Sequence, residues 1–281
     1  MKLFVSLSVI LATAVSGIHA AALPLTPTLH IFGDSLSDIG TLKDLALGLI
    51  PPPPYWQGRF SSGPVWNEYL AKLTGFNLYN KAVGGSTSDN DNAALLDFLP
   101  IELPISIPST KDQITYFKAT RPFYSASPTR NSDIAVLEVG ANDFFAKMID
   151  LATNTLTVGS FVDTLTDSIV EQLEMLRQIG FKNIFVSDMA AIQYTPFADI
   201  LDMVGLLLDV KESLMCSNPS TNYFFDFVHP AERIQRLFGY YSHEMISALQ
   251  QGKTFEMNEA NILGLIQKFN LGTAAPKPVQ V

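Results

Sequence analysis

The chain has 281 residues, 47% of them hydrophobic, and a formal net charge of −9 at pH 7. This length suits a single large α/β domain, and the acidic balance lacks the basic patch of a nucleic-acid binder, so no nucleic-acid partner is predicted. A lone cysteine, Cys216, excludes an intramolecular disulfide and a cysteine-based zinc site.

The N-terminus has the pattern of a secretory signal peptide. One lysine precedes an apolar run over residues 3–15, and small residues follow it. A membrane-spanning helix needs roughly 20 apolar residues, and here Pro24 and Pro27 come soon after the run. We therefore predict a signal peptide over 1–22, a secreted mature domain over 23–281 and no stable membrane span.

Apolar β-rich runs alternate with segments of helical period along the mature chain, which is typical of βα units and a parallel sheet. The clearest helix is predicted from about Ser160 to Gln178, and a second follows Pro64. The proline-rich stretch 51–63 is predicted to be a surface loop. The predicted strands are Leu29–Gly33, Phe76–Val83, Ile134–Val139 and Asn183–Ser187.

The first strand leads directly into Gly33-Asp34-Ser35. Ligands of parallel α/β sheets bind at the carboxyl ends of the strands, so Ser35 is a candidate nucleophile at the mouth of a site. The residues after Ser35 are expected to open a helix whose free N–H groups favour negative charge. A serine in such a turn can also be an ordinary helix N-cap.

Two further motifs follow predicted strands. Gly84-Gly85 comes after the second strand, and a glycine there exposes a backbone N–H suited to an oxyanion hole. Asn142 comes after the third strand, and its side-chain amide can donate to a developing oxyanion. Each motif alone is more often a structural turn or a helix cap.

Asp226 and His229 lie three residues apart near the C-terminus. Hydrolysis by a serine requires an imidazole that accepts the hydroxyl proton and a carboxylate that orients this imidazole. The other histidines of the mature chain, His30 and His243, are predicted to pack in a strand and in an amphipathic helix. His229 is therefore the candidate general base.

Four motifs in this order resemble the GDSL lipase/esterase group of SGNH hydrolases. The resemblance rests on FGDSLSD, VGGSTS, GAND and DFVHP, which contain Ser35, Gly85, Asn142 and His229. The resemblance extends to residues 58–71 and 171–190. Within the group, the amino-acid sequence is most similar to those of secreted fungal-type acetylesterases and plant GDSL esterases.

The resemblance implies a flavodoxin-like three-layer α/β/α sandwich around a parallel sheet of four or five strands, with no metal and no cofactor. It implies an acyl-enzyme route in which Ser35 attacks, His229 accepts the proton and Asp226 steadies the imidazolium. The oxyanion hole would consist of the backbone N–H groups of Ser35 and Gly85 and the Asn142 amide.

The segment 188–226 is shorter than the resemblance implies. A helix over Ala198–Val210 fits within it, and the sheet either ends at four strands or is completed by Tyr223–Phe225. The short connection could misplace Asp226 and His229. The sequence thus favours a monomeric esterase of small acyl esters, such as acetylated carbohydrates, and leaves two alternatives: a lipase or phospholipase, and a catalytically weak secreted binding protein.

Overall fold

A computed structural model describes residues 25–89, 105–187, 223–226 and 228–271. The predicted signal peptide, the predicted helix Ala198–Val210 and Cys216 lie outside these residues. Within the described ranges, every helix is too short or too polar to cross a bilayer.

Four parallel strands form one sheet in the order β2-β1-β3-β4. This order places the carboxyl ends of β2, β1 and β3 side by side. Gly33 at the end of β1 lies opposite Glu138 at the end of β3. The strands are β1 Thr28–Gly33, β2 Asn77–Asn80, β3 Ile134–Glu138 and β4 Asn183–Val186.

Helices pack on both faces of the sheet, and the predicted α/β fold is confirmed. The long helix begins two residues before its predicted start, because Thr157 Oγ1 accepts the N–H of Ser160 at 3.2 Å, and it ends at Gly180, where φ is +117°. The helices are α1 Thr41–Leu45, α2 Trp66–Thr74, α3 Thr110–Thr120, α4 Ala141–Ala152, α5 Val158–Ile179, α6 Glu232–Gln250 and α7 Glu259–Lys268, with a 3₁₀ turn at Tyr124–Ala126.

Two apolar cores cover the two faces of the sheet. Alternate residues of β1 and β3 enter opposite cores, as the two-residue period of a strand requires. Phe32 and Leu137 pack with α3 and α5, whereas Ile31 and Val136 pack with α2 and α6. Because helices cover both faces, the carboxyl ends of the strands are the natural place for a polar site in the described part of the chain.

The segment Tyr223–Phe225 does not add a fifth strand to the sheet. Phe224 instead forms an isolated antiparallel bridge with Pro230. The N–H of Phe225 donates to the carbonyl of His229 at 2.8 Å. These bonds close a short loop that presents Asp226 and His229, and among the described residues the sheet has four strands.

Candidate active site

Ser35 lies in a tight turn at the carboxyl end of β1. The carbonyl of Asp34 accepts the N–H of Ser37 at 3.1 Å, and Asp34 Oδ1 accepts the N–H of Leu36 at 2.9 Å. Gly33 permits a close approach to the next strand, since a Cβ at this position would lie 3.0 Å from the carbonyl oxygen of Glu138. The turn holds the Ser35 side chain at the edge of the sheet, 9% exposed.

The expected helix does not begin directly after Ser35. Helix α1 starts at Thr41, because the carboxylate of Asp38 accepts the N–H groups of Gly40, Thr41 and Leu42 at 2.7, 2.6 and 3.0 Å. The expectation of a helix N-terminus behind Ser35 is therefore wrong. No helix N-terminus directly behind Ser35 is therefore available to stabilise negative charge at this serine.

His229 joins Ser35 to Asp226 through hydrogen-bond contacts at both ring nitrogens. Its Nε2 lies 2.8 Å from Ser35 Oγ, and its Nδ1 lies 2.6 Å from Asp226 Oδ2. The side chains of His229 and Asp226 are 13% and 10% exposed. Despite the short segment 188–226, the loop places the imidazole between a hydroxyl and a carboxylate.

The backbone of the loop fixes Asp226 from its other side. Asp226 Oδ1 accepts the N–H groups of Val228 and His229 at 2.9 and 2.8 Å. Both carboxylate oxygens therefore have donors. This is the environment that orients a carboxylate and keeps it charged.

Two aromatic residues of the loop 51–63 complete this part of the site. The hydroxyl of Tyr55 donates to Asp226 Oδ2, the same oxygen that faces His229. The ring of Phe60 lies 4.9 Å from the imidazole, centroid to centroid. No local sequence pattern links Tyr55 to Asp226, because 171 residues separate the two.

The pKa values of this group agree with its geometry. Burial tends to raise the pKa of Asp226, but the charge and hydrogen bond of His229, with the Tyr55 hydroxyl, hold it well below its ordinary value. Burial and the neighbouring Asp226 carboxylate raise the pKa of Tyr55. At and around neutral pH, Asp226 is therefore an anion, and the hydroxyl of Tyr55 is neutral and donates a hydrogen bond to it.

Gly85 lies in the turn that follows β2, with φ at +85°. A side chain there would be strained, and its Cβ would lie 2.8 Å from Ile107 Cδ1. The preceding Gly84 donates its N–H to Asp38 Oδ2 at 2.8 Å. Asp38 thus ties the turn after β2 to the turn that carries Ser35.

Asn142 lies in the first turn of α4, after β3. Its Nδ2 donates to the carbonyl of Ser86 at 3.0 Å and to Asp34 Oδ2 at 3.2 Å. The amide is therefore placed between the turns that carry Ser35 and Gly85. The next residue, Asp143, holds the same glycine-rich turn through the N–H and hydroxyl of Ser88, at 3.0 and 2.6 Å.

Gln113 on α3 is a buried residue whose amide contacts the backbone next to Ser35, and the sequence did not predict this contact. Its amide oxygen accepts the N–H of Gly33 at 2.9 Å, and its Nε2 donates to the carbonyl of Gly33 at 2.9 Å and to Ser86 Oγ at 3.0 Å. Gln113 therefore fixes the backbone just before Ser35. A single glutamine in a helix carries no local pattern that reveals this role.

The arrangement can perform nucleophilic chemistry at a carbonyl group. A hydroxyl bonded to an imidazole can lose its proton to the ring as it attacks, and the carboxylate stabilises the imidazolium that forms. Gly85, in the turn after β2, and Asn142, in the first turn of α4 after β3, follow the two strands that flank β1. Across the described ranges, no group of three or more histidine, cysteine, aspartate or glutamate side chains could hold a metal ion.

Comparisons with known proteins agree with this chemistry. The model of the GDSL-like Lipase/Acylhydrolase family matches residues 29–262. A phosphatidylcholine-sterol acyltransferase of Aeromonas hydrophila is 35% identical over 147 residues, which are 52% of this chain and 40% of the relative. A thermolabile hemolysin of Vibrio parahaemolyticus is 35% identical over 113 residues, 40% of this chain and 24% of the relative.

An acetylesterase of Hypocrea jecorina is also similar. It is 28% identical over 183 residues, which are 60% of this chain and 50% of the relative. Each of these alignments spans less than two thirds of the relative's own length.

Proposed function

Because the chain belongs to the GDSL-like lipase/acylhydrolase family, we propose that it is a serine hydrolase of carboxylic esters that acts through an acyl-enzyme. The observation that carries this proposal is the 2.8 Å contact between Ser35 Oγ and His229 Nε2. The imidazole would take the hydroxyl proton while Ser35 attacks the ester carbonyl, and would then give that proton to the leaving alcohol. Water would release the acyl group by the same steps.

Asp226 has the role of orienting His229 and stabilising its charged form. Its lowered pKa and its contact at 2.6 Å with His229 Nδ1 support this role. The backbone N–H groups of Ser35 and Gly85 and the side-chain amide of Asn142 would bind the oxyanion. Their positions at the ends of three adjacent strands support this assignment.

For the substrate we propose small acyl esters, including acetylated carbohydrates. The similarity to an acetylesterase supports this choice. The N-terminal pattern supports secretion after removal of residues 1–22. We further propose that residues 23–281 act as a single, monomeric hydrolase domain.

Lipid esters are the second candidate class. The 35% identity to a phosphatidylcholine-sterol acyltransferase favours them, and so does an apolar cavity of about 460 Å³ between the sheet and α6. Leu36, the neighbour of Ser35, lines this cavity together with Trp66, Phe238, Tyr241 and Met257.

An assay of the purified protein on p-nitrophenyl esters of increasing acyl length tests both the role of Ser35 and the choice between short acyl esters and lipid esters. We expect turnover of the acetyl ester, a decline in kcat/KM with longer chains, and a loss of at least about 10³-fold in Ser35→Ala. Ser132→Ala is the matched control, because Ser132 is an exposed serine whose hydroxyl only donates to the carbonyl of Thr129.

Each outcome of this assay has a distinct meaning. A kcat/KM that rises with acyl length would select the lipid esters instead. If the well-folded wild-type protein hydrolyses no ester, the proposal of ester hydrolysis is wrong, and a secreted binding protein is the remaining alternative.

A further inference from the structure

The half-buried ring of Phe60 contacts two parts of the candidate active site. Its centroid lies 4.9 Å from the centroid of the His229 imidazole, and the two ring planes are 32° apart. The same ring lies against Gly84, where a Cβ would be only 2.4 Å from Phe60 Cε2. Gly84 directly precedes Gly85. Phe60 therefore touches both the general base and the glycine-rich turn of the proposed oxyanion hole.

The backbone on both sides of Phe60 is held in place. Arg59 forms two bonds with Glu68 of α2, with Nη2 2.6 Å from Oε1 and Nε 3.2 Å from Oε2. Such a two-point pair fixes the orientation of the guanidinium as well as its position. The N–H of Trp56 donates to the carbonyl of Ser61 at 3.0 Å. Phe60 thus lies in a bonded turn anchored on α2.

This turn is also bonded directly to the loop that carries His229. The buried hydroxyl of Ser61 donates to the carbonyl of Pro230 at 3.2 Å. Ser62 Oγ accepts the N–H of Glu232 at 3.1 Å. The two bonds join residues next to Phe60 to residues that closely follow His229. They therefore keep the separation between the two rings constant.

A contact on the ring face matters because the hydrogen bonds of His229 restrain only part of its motion. The contacts of Nε2 with Ser35 and of Nδ1 with Asp226 lie near the plane of the imidazole. They oppose a shift within that plane more strongly than a tilt out of it. The χ2 angle of histidine has broad energy minima, so packing against the ring face must limit this tilt.

We propose that Phe60 is a positioning residue, which limits the tilt of the His229 ring and sets the distance between this ring and the glycine-rich turn. Its effect on rate rests on the proposed ester hydrolysis. An error of about 1 Å in the placement of a reacting group can cost about 10²-fold in rate.

Steady-state kinetics on p-nitrophenyl acetate test the effect on rate. Phe60→Leu and Phe60→Met both remove the aromatic ring and keep an apolar side chain in its place. We expect kcat to fall by about tenfold or more in each variant, while KM changes by less than about threefold. The split arises because a tilted imidazole accepts the Ser35 proton less well but leaves substrate binding intact.

Phe181→Leu is the matched control, because Phe181 is a buried phenylalanine in the core between the sheet and helices α3 and α5. This variant should lower the free energy of unfolding without a selective effect on kcat. Phe60 variants with the kcat of wild type, or with a KM that rises as much as kcat falls, would overturn the positioning role.

Modification by diethyl pyrocarbonate tests the contact without turnover. The reagent transfers its ethoxycarbonyl group to an imidazole nitrogen, with release of ethanol and carbon dioxide, and mass spectrometry identifies the modified histidine. The His229 side chain is 13% exposed. Relative to His243 in the same sample, it should react slowly in wild type and in Phe181→Leu and severalfold faster in Phe60→Leu.

Equal relative rates in all three proteins would overturn the inference. Failure of wild type to hydrolyse any ester would instead overturn the proposed function. The relative reactivity of His229 would then still decide whether Phe60 restrains its ring.

Discussion

His229 Nε2 lies 2.8 Å from Ser35 Oγ, although 194 residues separate the two along the chain. One residue follows the first strand of the sheet, and the other lies in the loop before α6. The bridge between Phe224 and Pro230 closes that loop locally, so its geometry does not require a fifth strand of the sheet. This explains how a short segment 188–226 is compatible with a well-formed contact.

The hydroxyl of Tyr55 should contribute to catalysis through Asp226. Tyr55→Phe removes one donor from a buried carboxylate, and a hydrogen bond to a charged group is worth about 1.5–3 kcal/mol. We expect kcat/KM on p-nitrophenyl acetate to fall by about tenfold. Tyr116→Phe, at an exposed tyrosine, is the control. Equal rates for both variants would show that Tyr55 does not support the carboxylate.

Asn142→Ala should reduce kcat much more than it changes KM. Loss of one oxyanion donor costs about 10²–10³-fold in kcat because the donor acts on charge that develops only in the transition state. Asn261→Ala on α7, away from the strand ends, should leave both constants near their wild-type values. A large rise in KM with an unchanged kcat would assign Asn142 to ground-state binding instead.

Gln113→Leu should destabilise the protein through the backbone of Gly33. The variant leaves the buried N–H of Gly33 without its partner, which costs about 1–3 kcal/mol, whereas the Gly33 carbonyl still accepts the N–H of Val83 at 3.0 Å. We expect the free energy of unfolding in urea to fall by about 2 kcal/mol, whereas the exposed Gln178→Leu changes it by less than about 0.5 kcal/mol. Similar stabilities of the two variants would contradict the role given to Gln113.

His30 should make the protein less stable in mild acid. It lies among Tyr79, Phe117, Tyr124 and Phe181, and burial lowers its pKa to about 4 despite the Asp133 carboxylate 3.6 Å away. Between its ordinary value of about 6.5 and about 4, the unfolded chain binds a proton that the folded protein does not. The free energy of unfolding therefore falls as the pH falls through this window, by roughly 3 kcal/mol.

Urea unfolding of His30→Phe at about pH 7 and about pH 4.5 measures this effect. The variant should lose less stability on acidification than wild type, and His243→Gln, in a half-buried position on α6, should behave as wild type does. An unchanged acid sensitivity in His30→Phe would show that other groups cause it.

The sequence predicted the elements and motifs that depend on local pattern. All four strands lie within a few residues of their predicted bounds. Ser35, Gly85 and Asn142 each follow one of three adjacent strands, and they come to the same region because the carboxyl ends of parallel strands lie at one edge of the sheet. The sequence did not reveal Tyr55 or Gln113. Their roles depend on contacts between residues 80 or more positions apart, such as the 171 between Tyr55 and Asp226. Packing, and not residue order, creates such contacts.

The proposal that Ser35 is the nucleophile is tested most directly by a fluorophosphonate probe and mass spectrometry. Attack by Ser35 Oγ would form a bond to phosphorus and expel fluoride. We expect one modified serine, Ser35, with labelling slowed strongly in His229→Gln and unchanged in His243→Gln. Modification of a different serine, or no modification of the folded wild-type protein, would contradict the account.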